Sequence, residues 1–208
     1  MLVLGVLLAA FLMITPGPAH SAGPVKVLVL GDSLSAGYGL PKPDAFPVVL
    51  EAELRKAGHN VTLINAGVSG DTTAGGRARL GWALVDKPSI VILELGANDG
   101  LRGLEPAQTK ANLDGILSEL GKRNIKVLLA GMLAPPNLGK EYGREFNALF
   151  PALAKKHQAA FYTFFLDGVA SEPHLNQRDG IHPNRAGVDE IVRRILPSVK
   201  AVLNDVKQ

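Results

Sequence analysis

Four short segments bring glycines together with side chains able to move protons or bear charge. They are Gly31-Asp32-Ser33-Leu34-Ser35, Gly67-Val68-Ser69-Gly70-Asp71, Gly96-Ala97-Asn98-Asp99-Gly100 and Asp179-Gly180-Ile181-His182-Pro183. A serine hydroxyl becomes a nucleophile when an imidazole takes its proton and a carboxylate orients that imidazole. Only two residues separate Asp179 from His182. One short loop, ahead of a helix begun by Pro183, can therefore set the carboxylate on one ring nitrogen and leave the other for Ser33. Gly31 lets the chain bend sharply before Ser33, where backbone amides at a helix start point outward. Gly70 offers a backbone amide with no side chain in the way, Asn98 a side-chain amide, and Ser33 its own N–H. If the segments converge, these donors suit a tetrahedral oxyanion, and the chemistry is acyl transfer.

Taken singly, each segment has a plainer reading. Ser and Asp commonly cap helices, and a structural role of this kind is expected of Asp32. Asn98 suits a turn, Asp179-Gly180 likewise, and His182 suits a helix entry. Ser35 and Ser69 are rival hydroxyls, but neither follows directly on the Gly-Asp turn. His59, His157 and His174 read as surface or turn residues. Asp32, Asp99, Asp179 and His182 also admit an oxygen-rich metal site for phosphoester hydrolysis, the alternative enzyme class. The non-enzymatic alternative is an extracytoplasmic binding module on the same fold.

The elements that must position these residues recur regularly. Aliphatic runs at Val25–Leu30, Val61–Asn65, Ile90–Leu95 and Val127–Ala130, with a weaker one at Ala160–Phe165, read as five buried strands. Helical patterns span Phe46–Lys56, Pro106–Lys122 and Tyr142–His157, with a last helix from Asn184 to about Leu203. A short helix is expected around Arg77–Leu84, within the long connection from Gly67 to Pro88. Strand–helix alternation predicts an α/β three-layer sandwich, a five-stranded parallel sheet in the flavodoxin-like order 2-1-3-4-5. In such a sheet ligands bind beyond the carboxyl ends of the strands, where the polar segments fall.

Composition narrows the classes further. Of 208 residues 47% are hydrophobic and 20% charged, so the chain can build a core. Cysteine is absent, which removes thiol nucleophiles, Cys-ligated zinc and iron–sulfur clusters. The 22 basic residues are dispersed and aromatics reach only 5%, so no nucleic-acid partner is expected. A Gly-x-Ser-x-Gly elbow is missing, since Ser35 stands where its second glycine would be; Walker A and dinucleotide fingerprints are missing too. Neither a cofactor nor a metal is called for. The apolar run Leu2–Ile14, the breaker Thr15-Pro16-Gly17-Pro18 and the small residues around Ala19-His20-Ser21 read as a secretory leader over residues 1–22. That run is short for a bilayer span; an uncleaved anchor is the alternative, and either way the body lies outside the cytoplasm. Residues 23–208 then form one domain, expected to be a periplasmic or secreted monomer.

Gly31-Asp32-Ser33-Leu34, Gly70, Gly96-Ala97-Asn98-Asp99 and Asp179-Gly180-Ile181-His182-Pro183 resemble, in order and separation, the four blocks of the SGNH (GDSL) hydrolase family. The segments Asn65–Thr72 and Asn98–Leu104 are most similar to its bacterial thioesterase I, lysophospholipase and arylesterase branch. The resemblance implies that Ser33 is the nucleophile, Asp179 and His182 are acid and base, and Ser33, Gly70 and Asn98 form the oxyanion hole. It also implies hydrolysis of small acyl esters or thioesters without a cofactor. Two departures from the branch pattern, Ala97 and Gly67, bear on pocket shape. The loops Gly100–Leu104 and Met132–Gly139 are expected to border the acyl pocket, with Leu101, Leu104, Leu133 and Pro135, then Pro136 and Leu138, making its rim apolar. Export would separate the enzyme from acyl-CoA, so aryl esters, short- to medium-chain acyl esters and lysophospholipids are the expected substrates.

Overall fold

The computed structural model describes residues 23–206; the leader expected over residues 1–22, with His20, lies outside them. Strands β1 (Val25–Gly31), β2 (Val61–Gly67), β3 (Ile90–Glu94), β4 (Lys126–Ala130) and β5 (Ala160–Tyr162) form one parallel sheet ordered β2-β1-β3-β4-β5. This is the expected order. The helices are α1 (Ser33–Ala36), α2 (Phe46–Lys56), α3 (Thr73–Ala78), α4 (Leu80–Ala83), α5 (Ala97–Leu101), α6 (Pro106–Lys122), α7 (Lys140–His157) and α8 (Arg185–Val206). Right-handed crossovers that run outward in both directions from β1 and β3 deliver helices to opposite faces. Accordingly α2 packs with α8, and α6 with α7 and α3. Both faces are covered, so Val27–Leu30 of β1 and Ile90–Leu93 of β3 are fully buried, as their unbroken aliphatic runs require.

Register is what matters for the site. Gly31 lies opposite Gly67 on one side and Glu94 on the other, and Glu94 lies opposite Ala130. Four strands therefore end level, and the loops after them start from one rim.

Three expectations are corrected. The strand expected over Ala160–Phe165 stops at Tyr162, because only β4 flanks it and the chain then turns inward. Phe165 is fully buried, edge-on to Phe46 with ring centroids 5.0 Å apart. The helix expected around Arg77–Leu84 starts earlier, where the Thr72 side chain accepts from the Gly75 N–H, and it breaks at Arg79 into α3 and α4. Pro183 does not begin the last helix: it bridges to Asn176, and the Asn184 side chain caps α8 by accepting from the Gly187 N–H at 3.1 Å.

Candidate active site

Ser33 opens α1 directly after β1. Asp32, fully buried, caps this one-turn helix through Oδ1, which accepts from the Leu34 N–H at 3.0 Å; this is the structural role expected of it. Gly37 ends the helix in the left-handed region, φ 81°. The turn is tight enough to demand glycine at two neighbours. A Cβ on Gly31 would meet Ser35 Oγ at 2.2 Å and Glu94 Oε2 at 2.4 Å, and one on Gly67 would meet the Ala36 nitrogen at 2.3 Å. Gly67 thus shapes the seat of α1 rather than the pocket, whereas Ala97 faces the cavity described below.

The segment before α8 returns across the strand ends to meet this turn. His182 Nε2 stands 2.9 Å from Ser33 Oγ, and Nδ1 stands 2.7 Å from Asp179 Oδ2. Asp179 Oδ1 accepts the backbone N–H groups of Ile181 and His182, closing the loop on itself. Those backbone bonds, then the imidazole, hold the Asp179 pKa down at about 2. A carboxylate that is ionised at neutral pH can only accept, so Nδ1 carries the hydrogen and Nε2 is the acceptor presented to Ser33. Tyr38 packs against the His182 ring, centroids 4.5 Å apart, and limits its rotation.

Ser33, Gly70, Asn98 and His182 all border one cavity of about 620 Å³; Asp179 sits behind His182. Gly70 holds φ 81° in the loop after β2, a conformation that favours glycine. Asn98 lies in the first turn of α5, not in a loop, and donates one amide hydrogen to Asp32 Oδ2 at 3.1 Å. An amide nitrogen carries two hydrogens, so one remains for a ligand. Leu101, Leu133, Pro135 and Pro136 line the cavity as expected of its rim. Leu104 and Leu138 are not among its lining residues. Gly103, φ 61°, turns the chain away before Leu104, whose carbonyl accepts from the Tyr142 hydroxyl, and Leu138 packs towards Gly103.

Several residues at the site carry no motif that spacing could reveal. Arg79 donates to Asp71 Oδ2 at 2.7 Å, to the Ala66 carbonyl at 2.8 Å and to the Gly31 carbonyl at 2.9 Å, tying the Ser33 turn to the Gly70 loop. Arg102 donates to the Gly70 carbonyl at 2.7 Å. Met132, Phe164 and Leu166 add apolar cavity wall from beyond the expected loops or at their edge. Of the rival hydroxyls, Ser35 is buried and donates to Glu94 Oε2 at 2.6 Å, while Ser69 borders the cavity. His157 is not a surface residue: its side chain is 15% exposed, and Nε2 lies 2.6 Å from Asp114 Oδ1. The metal alternative loses its ligand set, because Asp99 is committed to the Thr73 N–H and to the Thr73 and Thr109 hydroxyls. Among the described residues, no three Asp, Glu or His side chains gather as an ion would need.

Residues 29–189 match the model of the GDSL-like lipase/acylhydrolase family. The chain belongs to that family. It is 39% identical over 185 residues to esterase TesA of Pseudomonas aeruginosa, covering 88% of this chain and 92% of that protein. It is 40% identical over 167 residues to thioesterase 1/protease 1/lysophospholipase L1 of Escherichia coli, covering 80% and 79% respectively. The crystal structure of AlinE4, an SGNH-hydrolase family esterase, superposes with a TM-score of 0.74 at 50% identity, covering 88% of this chain and 98% of that one. The matched residues include both the Gly31-Asp32-Ser33-Leu34 turn and the Asp179–His182 pair.

Proposed function

We propose that this member of the GDSL-like family is a serine esterase that hydrolyses carboxylic esters and thioesters through an acyl-enzyme on Ser33. The observation that carries the reading is the unbroken chain Asp179–His182–Ser33 at 2.7 and 2.9 Å, opening on an apolar cavity. His182 Nε2 takes the hydroxyl proton as Ser33 Oγ bonds to the substrate carbonyl carbon. The ionised Asp179 stabilises the imidazolium. The oxyanion is held by the N–H groups of Ser33 and Gly70 and by the free amide hydrogen of Asn98. The bond to the leaving oxygen or sulfur then breaks, and His182 returns its proton to the departing alcohol or thiol. Water repeats the sequence on the acyl-enzyme and releases the acid. No cofactor enters any step.

Aryl esters, short- to medium-chain acyl esters and lysophospholipids are the substrate classes, supported by the cavity wall of Leu101, Leu133 and Pro135 and by the esterase and lysophospholipase names of the relatives. Residues 1–22 act as a secretory leader, and 23–208 work as a periplasmic or secreted monomeric domain. No helix among the described residues is long and apolar enough to cross a membrane. Treatment with an organophosphonate ester tests the chemistry: stoichiometric labelling of Ser33 with loss of EDTA-resistant esterase activity is expected. Labelling elsewhere, or activity abolished by EDTA, overturns it.

A further inference from the structure

Beneath the site lie two buried carboxyl groups that the acyl-transfer steps do not use. Asp32 and Glu94 are both fully buried, on adjacent strand ends. A helix cap requires only one carboxylate oxygen. Asp32 spends Oδ1 on the Leu34 N–H, yet its Oδ2 reaches 66 residues along the chain to the Asn98 amide. Glu94 Oε2 accepts from the Ser35 hydroxyl at 2.6 Å and from the Asp32 N–H at 3.3 Å, while Oε1 is buried with no partner.

The charge on this pair is decided by burial. Desolvation pushes both groups up, Asp32 to about 6 and Glu94 well above its ordinary value, with the neighbouring Asp32 charge also raising Glu94. Two adjacent buried carboxylates cannot both ionise cheaply. Burial with one oxygen unpartnered pushes Glu94 well up, whereas the Leu34 N–H and the Asn98 amide favour the charged form of Asp32. The groups facing Asp32 are Asn98 and Glu94, with His182 favouring its charge and Asp71 opposing it.

Resting on the reading of Asn98 as an oxyanion donor, we propose that Asp32 is a positioning residue: Oδ2 holds one amide hydrogen of Asn98 so that the other serves the oxyanion, while Oδ1 fixes the turn bearing Ser33. One carboxylate thereby locks nucleophile and donor into a single geometry. Displacing either by about 1 Å would be expected to lower turnover by roughly a hundredfold.

A double-mutant cycle tests this. Asp32→Asn keeps the shape but offers one acceptor oxygen where two are needed, so it cannot serve both Leu34 and Asn98. Asp32→Asn is expected to lower kcat about tenfold to a hundredfold with KM changed only severalfold. Asn98→Ala is expected to lower kcat about a hundredfold to a thousandfold. Adding Asp32→Asn to Asn98→Ala should cost less than about threefold more, because the group being positioned is gone. Full additivity, with Asn98→Ala impaired by itself as expected, overturns the positioning role alone. Wild-type kcat in Asn98→Ala overturns the oxyanion assignment and the proposal with it. Should Asp32→Asn not fold, carboxyl 13C titration reads the same contact. Asp32 is expected to titrate at higher pH in Asn98→Ala than in the wild type, and an unchanged titration overturns the proposal.

Discussion

His182 Nε2 lies 2.9 Å from Ser33 Oγ although 149 residues separate the two in sequence. The contact joins the first strand–helix turn to the last loop before α8, the extreme ends of the sheet's connectivity. It decides which of three hydroxyls near the strand ends is activated. Ser35 is bonded to Glu94, and no hydrogen bond joins His182 to Ser69.

Ser33→Ala should therefore abolish turnover while leaving the fold intact, since the Ser33 hydroxyl pairs with His182 and caps nothing. The expected loss in kcat on a nitrophenyl ester is roughly a millionfold, as in other serine triads. Circular dichroism on the same preparation separates lost chemistry from lost structure. Retention of a tenth of wild-type turnover would dismiss Ser33 as nucleophile.

Acid stability should depend on Asp179. Its folded-state pKa of about 2 lies below the ordinary 3.8, so its ionisation favours the folded protein. That contribution is complete above 3.8 and disappears as pH falls towards 2. Asp179→Asn lacks it, so the wild-type Tm should fall more steeply than the variant's over that window, and the two curves should converge. At neutral pH the variant should turn over far more slowly, because the amide no longer fixes the imidazole tautomer or stabilises the imidazolium. Parallel melting curves between pH 4 and pH 2 would contradict the linkage.

Arg79 should matter to both stability and rate. Arg79→Met removes three hydrogen bonds from a guanidinium whose side chain is only 19% exposed, and strands the Asp71 carboxylate. An expected loss of about 1 to 3 kcal/mol follows from leaving such groups unpaired. Because the same bonds join the Ser33 turn to the Gly70 loop, kcat should drop by about tenfold more than KM changes. Urea unfolding and steady-state kinetics on one sample measure both; wild-type values for each would show that the clamp is dispensable.

The cavity wall predicts a chain-length dependence. Burial is worth about 0.8 kcal/mol per methylene, or roughly fourfold in kcat/KM, for as long as the acyl chain lies against apolar wall. Leu133→Ser should flatten that rise across a nitrophenyl ester series, because Leu133 lines the cavity. Leu104→Ser, outside it, should leave the slope unchanged. Equal effects of the two substitutions would show that the acyl chain lies elsewhere.

Much of this was legible along the chain. The runs Val27–Leu30 and Ile90–Leu93 announce central parallel strands because both sheet faces are covered, so no polar alternation interrupts them. Gly31 and Gly70 stand out because tight turns and positive φ tolerate little else. Asp179 and His182 meet within one short loop, so their pairing is a local matter, as readable as a turn.

What sequence reading missed was of another kind. Nothing local marks Arg79, whose three acceptors come from two strand ends and a loop, or Glu94, which reads as one more residue of an apolar strand. Leu104 and Leu138 share their loops with Leu101 and Pro135, yet neither lines the cavity: the chain turns at Gly103 before Leu104, and Leu138 packs towards Gly103. Amino-acid sequence by itself determined the strands, their alternation with helices, the residue types at the strand ends and the loops that carry them, because periodicity, glycine and short loops act over a few residues. Tertiary structure alone decided which hydroxyl meets His182, which leucines line the cavity, and that Asp32 serves Leu34 and Asn98 together. Those outcomes depend on distances between chain segments set by strand register and helix packing, which no local pattern encodes.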